Sequence, residues 1–83
     1  MYAAITAERD RQERKFPGET CRAGIPDALK LTVLVEEVGE VAREILDGPT
    51  HSPDELRDRM HAELVQVAAV AVAWLEALEG DGR

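Results

Sequence analysis

The chain has 83 residues, of which 45% are hydrophobic, with one Trp, one Tyr and one Phe. This length allows a single small domain over 1–83, whose limited core self-association would naturally complete. The formal charge of −7 disfavours a nucleic-acid polymer as partner, whereas a small nucleotide carried with a divalent cation stays compatible, because the ion reverses the local charge.

The first residues, Met1-Tyr2-Ala3-Ala4-Ile5, run into Glu8, Arg9, Asp10 and Arg11 and carry no signal-peptide apolar region. Cys21 is the single cysteine, which rules out an intrachain disulfide and fits a reducing compartment. The expectation is a soluble, cytoplasmic protein. A first, strongly charged helix is predicted from about Ala3 to Lys15. Phe16-Pro17-Gly18 ends it, since a proline disfavours helical geometry in the residue before it. A loop to Ile25 comes next.

A second helix is predicted from near Pro26 to about Leu46, with Asp27 favourable at the positive helix end. Leu31, Leu34, Val35, Val38, Ala42 and Ile45 recur at helical spacing, and Asp47-Gly48-Pro49 is a strong stop. Gly39 lies inside it, either to admit a close neighbour or as a tolerated surface glycine. The third helix opens on Ser52-Pro53-Asp54-Glu55, a capping box with proline at the first helical position, and is expected to reach Glu79, with Gly80 as its stop. Residues 62–75 within it are mostly apolar, too short a run to span a bilayer, so no membrane contact is expected. A helix apolar nearly all round must be covered on several sides, and three helices of this size cannot do so. The predicted fold is therefore all-α, a short helical bundle of about three helices completed by oligomerisation.

Carboxylates interrupt these apolar patterns. Glu37, Glu40 and Glu44 share a stripe of the second helix with Glu36 adjacent, and Glu63 and Gln66 share a face of the third. An antiparallel hairpin would let the two groups face each other. Buried charges must be paired or bind a cation. Oxygen donors so spaced suit Mg²⁺, which takes a few carboxylates and leaves positions to water and phosphate. Spacing alone fits a metal site, and it fits equally a buried Glu–Arg pair or a Gln hydrogen bond across a dimer.

Glu36-Glu37-x-x-Glu40, followed by Glu63-x-x-Gln66 and set in Leu34-Val35-Glu36-Glu37-Val38-Gly39-Glu40-Val41-Ala42, resembles the MazG-type all-α nucleoside triphosphate pyrophosphatases over about Pro26 to Leu78. Their motif is E-E-x-x-E, a spacer and E-x-x-D. Glu8-Arg9-x-x-Gln12-x-x-Lys15-Phe16 looks like the family's leading segment. The resemblance implies a dimer or tetramer that uses Mg²⁺, or Mn²⁺, to hydrolyse a (d)NTP to the monophosphate and pyrophosphate. It implies Glu37, Glu40 and Glu63 as metal ligands, Gln66 in the place of the fourth acidic ligand, and Glu36 as a further ligand or the group that positions the attacking water. Gln66 departs from the motif. Its amide oxygen can still ligate a hard cation, but the site loses one negative charge, so a non-catalytic nucleotide-binding or protein-interaction module of the same fold is the alternative.

Arg59, Lys30 and Lys15 are candidates for phosphate contacts, Arg59 above all because it stands one turn from Glu63 and carries a guanidinium. Surface ion pairs with Glu55 or Glu63 are the competing reading. Phe16 is the better candidate to stack on a base, and Trp74 reads as core or interface. His51, His61 and Cys21 have no partner at metal-ligand or nucleophile spacing.

Overall fold

A computed structural model describes residues 1–15 and 25–81. Its helices are α1 (Tyr2–Lys15), α2 (Asp27–Leu46) and α3 (Pro53–Asp81), with a 3-10 turn at Gly48–Thr50. Among the described residues there is no strand, and the all-α expectation holds.

Local chemistry sets most boundaries. Pro26 caps α2 rather than opening it: its ψ of 148° is extended, and its carbonyl accepts the Leu29 and Lys30 amides at 3.0 and 3.1 Å. The other end of α2 closes when the Asp47 amide donates to the Arg43 carbonyl at 2.9 Å and the Thr50 amide donates to the Asp47 carbonyl at 3.0 Å. Pro49 falls within this turn, where a missing amide proton costs least. The Glu55 amide donates to Ser52 Oγ at 3.2 Å, so the predicted cap of α3 is in place. The predicted stop at Gly80 is not, because α3 continues to Asp81. Gly80 keeps an ordinary φ, and a Cβ there would meet nothing within 4 Å, so no left-handed cap forms to end the helix.

The helices run up, down and up. α2 and α3 form an antiparallel hairpin: the Trp74 indole N–H donates to Asp27 Oδ1 at 3.3 Å near one end, and Arg59 lies 3.6 Å from Glu44 near the other. α1 lies along α3 in the same direction. Met1 and Ile5 line a groove with Val65 and Ala68, and Arg9 reaches Glu76 further up at 2.5 Å. Thus α3 is the central strut, and both other helices pack on it.

The core is thin. Its buried apolar residues are the small ones of α3, namely Ala69, Val70, Ala73 and Ala77. Val33, Leu34 and Trp74 pack against Val70 and Ala73. Among the described residues no large side chain is fully enclosed. The surface of 5758 Å² exceeds the roughly 4900 Å² of a compact monomer of this mass.

α2 is oriented against its own apolar periodicity. The face it turns inward carries Lys30, Val33, Leu34, Glu37, Val41 and Glu44, all buried or half-buried. Leu31, Val35, Val38 and Ile45 are each more than half exposed. With Ala42 they repeat at alternating steps of four and three residues, the spacing of a helix-pairing seam. α3 likewise exposes Leu64, Leu75 and Leu78, and over Pro53–Gly80 it is long and apolar enough to cross a membrane by length and composition. That property belongs to an 18-residue stretch of the helix, and the core helix of a soluble protein shares it.

Replacing Ser52 with Ala should destabilise the protein by about 1 kcal/mol, the usual worth of a lost helix cap. Urea unfolding followed by circular dichroism checks this, and an unchanged midpoint would show the cap to be idle.

Candidate functional site

The hairpin register brings the two acidic segments level. Arg59 faces Glu44. One turn inward from that pair, Glu40 on α2 is level with Glu63 on α3, and a further turn places Glu37 level with Gln66. Glu37, Glu63 and Gln66 are half-buried, whereas Glu36 and Glu40 are exposed. Glu36 adjoins Glu37 in the chain, about 100° further round the helix, and so lies off the face that meets α3.

Electrostatics ties these groups together. Burial pushes the Glu37 carboxyl above the usual carboxylate range, and the charges of Glu63, Glu40, Glu8 and Glu36 push it further. Glu63 is raised in the same way, first by burial and then by Glu40, Glu44 and Glu8. Glu37 Oε2 and Glu63 Oε2 are shielded from solvent and have no hydrogen-bond partner. Two buried carboxylate oxygens without donors, in a field of like charge, are a costly arrangement.

Glu8, on α1, joins this neighbourhood, although its sequence position identified it only as part of a leading segment. Its carboxylate accepts from Arg11 Nε at 2.9 Å, from a second Arg11 guanidinium nitrogen at 2.6 Å and from Gln12 Nε2 at 3.1 Å. The Arg11 hydrogen bond is the main reason its pKa is lowered, against the effect of burial. Arg11 is held more firmly charged by Glu8 and also feels Glu37. The sequence signal available for this was the i, i+3 Glu8–Arg11 pair, which many exposed helices carry for helix stability alone.

The other candidates are dispersed. Arg59 is engaged with Glu44 rather than with Glu55 or Glu63. Lys30 is 3% exposed, 3.8 Å from Asp27, and about 10 Å up α2 from Glu37. Lys15 sits in the last turn of α1 and contributes to the field at Glu8. Phe16 and Cys21 lie outside the described residues. Trp74 packs on the core with its indole on Asp27, as its reading as core required. A Cβ at Gly39 would meet nothing within 4 Å, so no described helix of the same chain approaches it.

The donors fit a hard divalent cation in kind, being carboxylate oxygens with an amide oxygen level with them, and two of those oxygens have no other partner. Among the described residues, however, no three His, Cys, Asp or Glu side chains form a group that would hold an ion as they stand. The carboxylates share an electrostatic neighbourhood without sharing a coordination sphere. No protein-family model, curated protein or solved structure matches the chain.

The raised carboxyls bind protons more readily in the folded state. Their contribution to stability is therefore fully present below the unfolded carboxylate pKa and is lost as pH rises through the folded values. Glu8 acts oppositely, contributing above the usual value and losing that contribution as pH falls through its lowered one. In chelator, wild-type protein should become more heat-stable as pH falls from neutrality toward the ordinary carboxylate value. Glu37→Gln and Glu63→Gln should each raise the pH 7 melting temperature by a few degrees and flatten that rise. Thermal unfolding across pH decides, and a lower melting temperature in both variants would remove the repulsive cluster.

Proposed function

We propose that this protein is a Mg²⁺-dependent nucleoside triphosphate pyrophosphohydrolase of the MazG-like type, acting as a homo-oligomer. The observation that carries the reading is the acidic neighbourhood at mid-hairpin, where Glu37 and Glu63 keep solvent-shielded oxygens without donors under mutual repulsion with Glu40 and Glu8. A cation removes that repulsion, and the E-E-x-x-E and E-x-x-Q spacings place the donors on facing helices.

In this reading Glu37, Glu40 and Glu63 hold the cation, with the Gln66 amide oxygen beside them. A bound Mg²⁺ neutralises phosphate charge and lowers the pKa of water. Glu36, exposed next to Glu37, orients the water that attacks the α-phosphorus and accepts its proton. The bond from the α-phosphorus to the bridging oxygen breaks, and pyrophosphate leaves with that oxygen. Released pyrophosphate from a panel of (d)NTPs with Mg²⁺ or Mn²⁺ tests the activity. Glu37→Gln and Glu40→Gln should lower turnover by about a hundredfold or more, in line with loss of a key metal contact. Folded wild-type protein that releases no pyrophosphate from any nucleotide would sink the catalytic claim.

Gln66 favours a second reading, a non-catalytic nucleotide-binding or interaction module, since the residue level with Glu37 is neutral. Gln66→Asp separates the two. A large gain in Mg²⁺ affinity and turnover marks a degenerate wild-type site, and efficient wild-type turnover marks an active one.

The oligomer rests on the outward seam of Leu31, Val35, Val38, Ala42 and Ile45, on the exposed leucines of α3, and on a core in which no large side chain is enclosed among the described residues. An apolar stripe of this length left in water is unfavourable, and a second copy of the hairpin is the natural cover. Sedimentation should show a species of at least twice 9.1 kDa, and Val38→Asp should dissociate it. A wild-type monomer at micromolar concentration would contradict this.

A further inference from the structure

We propose that a second copy of this chain lays its α2 antiparallel across α2, on a twofold axis between Val38 and Gly39, and that Gly39 is the socket for the other copy's Val38. The inference rests on the homo-oligomer reading and assigns it the helix, the register and the residue that set the contact.

Gly39 stands in the interior of a 20-residue helix, where glycine weakens the helix relative to alanine. Nothing in the described part of its own chain calls for it. Its φ is ordinary, and a Cβ there would meet no atom within 4 Å. On the outer face of α2, Gly39, Ala42, Arg43, Leu46 and Asp47 line an open depression of about 440 Å³. Val35 and Val38, each more than half exposed, stand beside it on the same helix.

The register follows from which side chains are large and which are small. Val35, Gly39, Ala42 and Leu46 are exposed and recur at steps of four, three and four residues, a spacing by which one helix meets another. Reversing the helix about a point midway between Val38 and Gly39 sets Val38 opposite Gly39, Val35 opposite Ala42 and Leu31 opposite Leu46. The two central pairs each join a branched side chain to a position with a small one or none, so projections of one copy meet hollows of the other. A twofold axis makes each of these contacts twice.

Size and charge also select a second copy. The chain exposes roughly 850 Å² more than a compact monomer of its mass, and each partner of a stable complex buries about 800 Å². Two copies of net charge −7 repel one another at long range. The rim of the depression nevertheless carries Arg43 as well as Asp47, and neither forms an ion pair among the described residues. The contact therefore offers a cation as well as an anion to its own copy.

The test measures self-association of the full chain by sedimentation equilibrium and helix content by circular dichroism. Gly39→Leu fills the socket, and within the single chain it adds a good helix former over open space. It should weaken self-association by about tenfold or more, as overpacking of a fitted contact does, while helix content at high dilution equals or exceeds that of the wild type. Gly39→Ala, which adds one methyl group, should fall between the two and carries the test if Gly39→Leu does not fold. Self-association that both variants leave unchanged or tighten overturns the α2 pairing alone, and so does a loss of helix content in diluted Gly39→Ala, since the glycine would then serve the single chain. A wild-type chain that stays monomeric overturns the homo-oligomer reading, and the pairing with it.

Discussion

The structure turns on the inward placement of Glu37 and Glu63. Each is half-buried between helices, each keeps an oxygen without a donor, and each is repelled by the other's neighbours. Burial of such groups opposes folding unless something compensates. Small-residue packing of α3 against α2, through Ala69, Val70 and Ala73 with Val33, Leu34 and Trp74, holds the helices together despite the repulsion. The hairpin therefore holds these carboxylates in one electrostatic neighbourhood.

The same rotation of α2 that turns Glu37 and Glu44 inward turns Leu31, Val35, Val38 and Ile45 outward. The two facts are one geometric choice, because a helix has a single rotational setting. A rotation that hid the seam against α3 would turn the carboxylates outward. The thin core and the large surface follow from the same helix orientation.

α1 adds a third wall of different character. Its inward face is largely polar, with Glu8, Arg9, Gln12 and Glu13 alongside Ala4 and Ile5, so it brings charge to the hairpin more than it brings core. Glu8 extends the negative field, and Arg11 supplies a forked cation at its edge.

The helices were legible in the sequence because their ends are local chemistry: Pro26 and Ser52 at the starts, Asp47-Gly48-Pro49 at a stop. Gly80 misled, since a glycine ends a helix only when the chain turns left-handed there, and glycine permits that turn without imposing it. The acidic motif was legible as spacing, because i, i+3 and i, i+4 positions share a face of any helix. Sequence could not say which face of α2 would meet α3. The apolar period of Leu31, Val35 and Val38 and the stripe of Lys30, Glu37 and Glu44 are both regular, and helical periodicity contains no reference to a neighbour. The tertiary structure decided it through the register of the hairpin, with Trp74 against Asp27 and Arg59 against Glu44. It likewise brought Glu8 and Arg11 to the cluster from a different helix, a proximity set by the packing of α1 on α3 and by no local pattern in the chain.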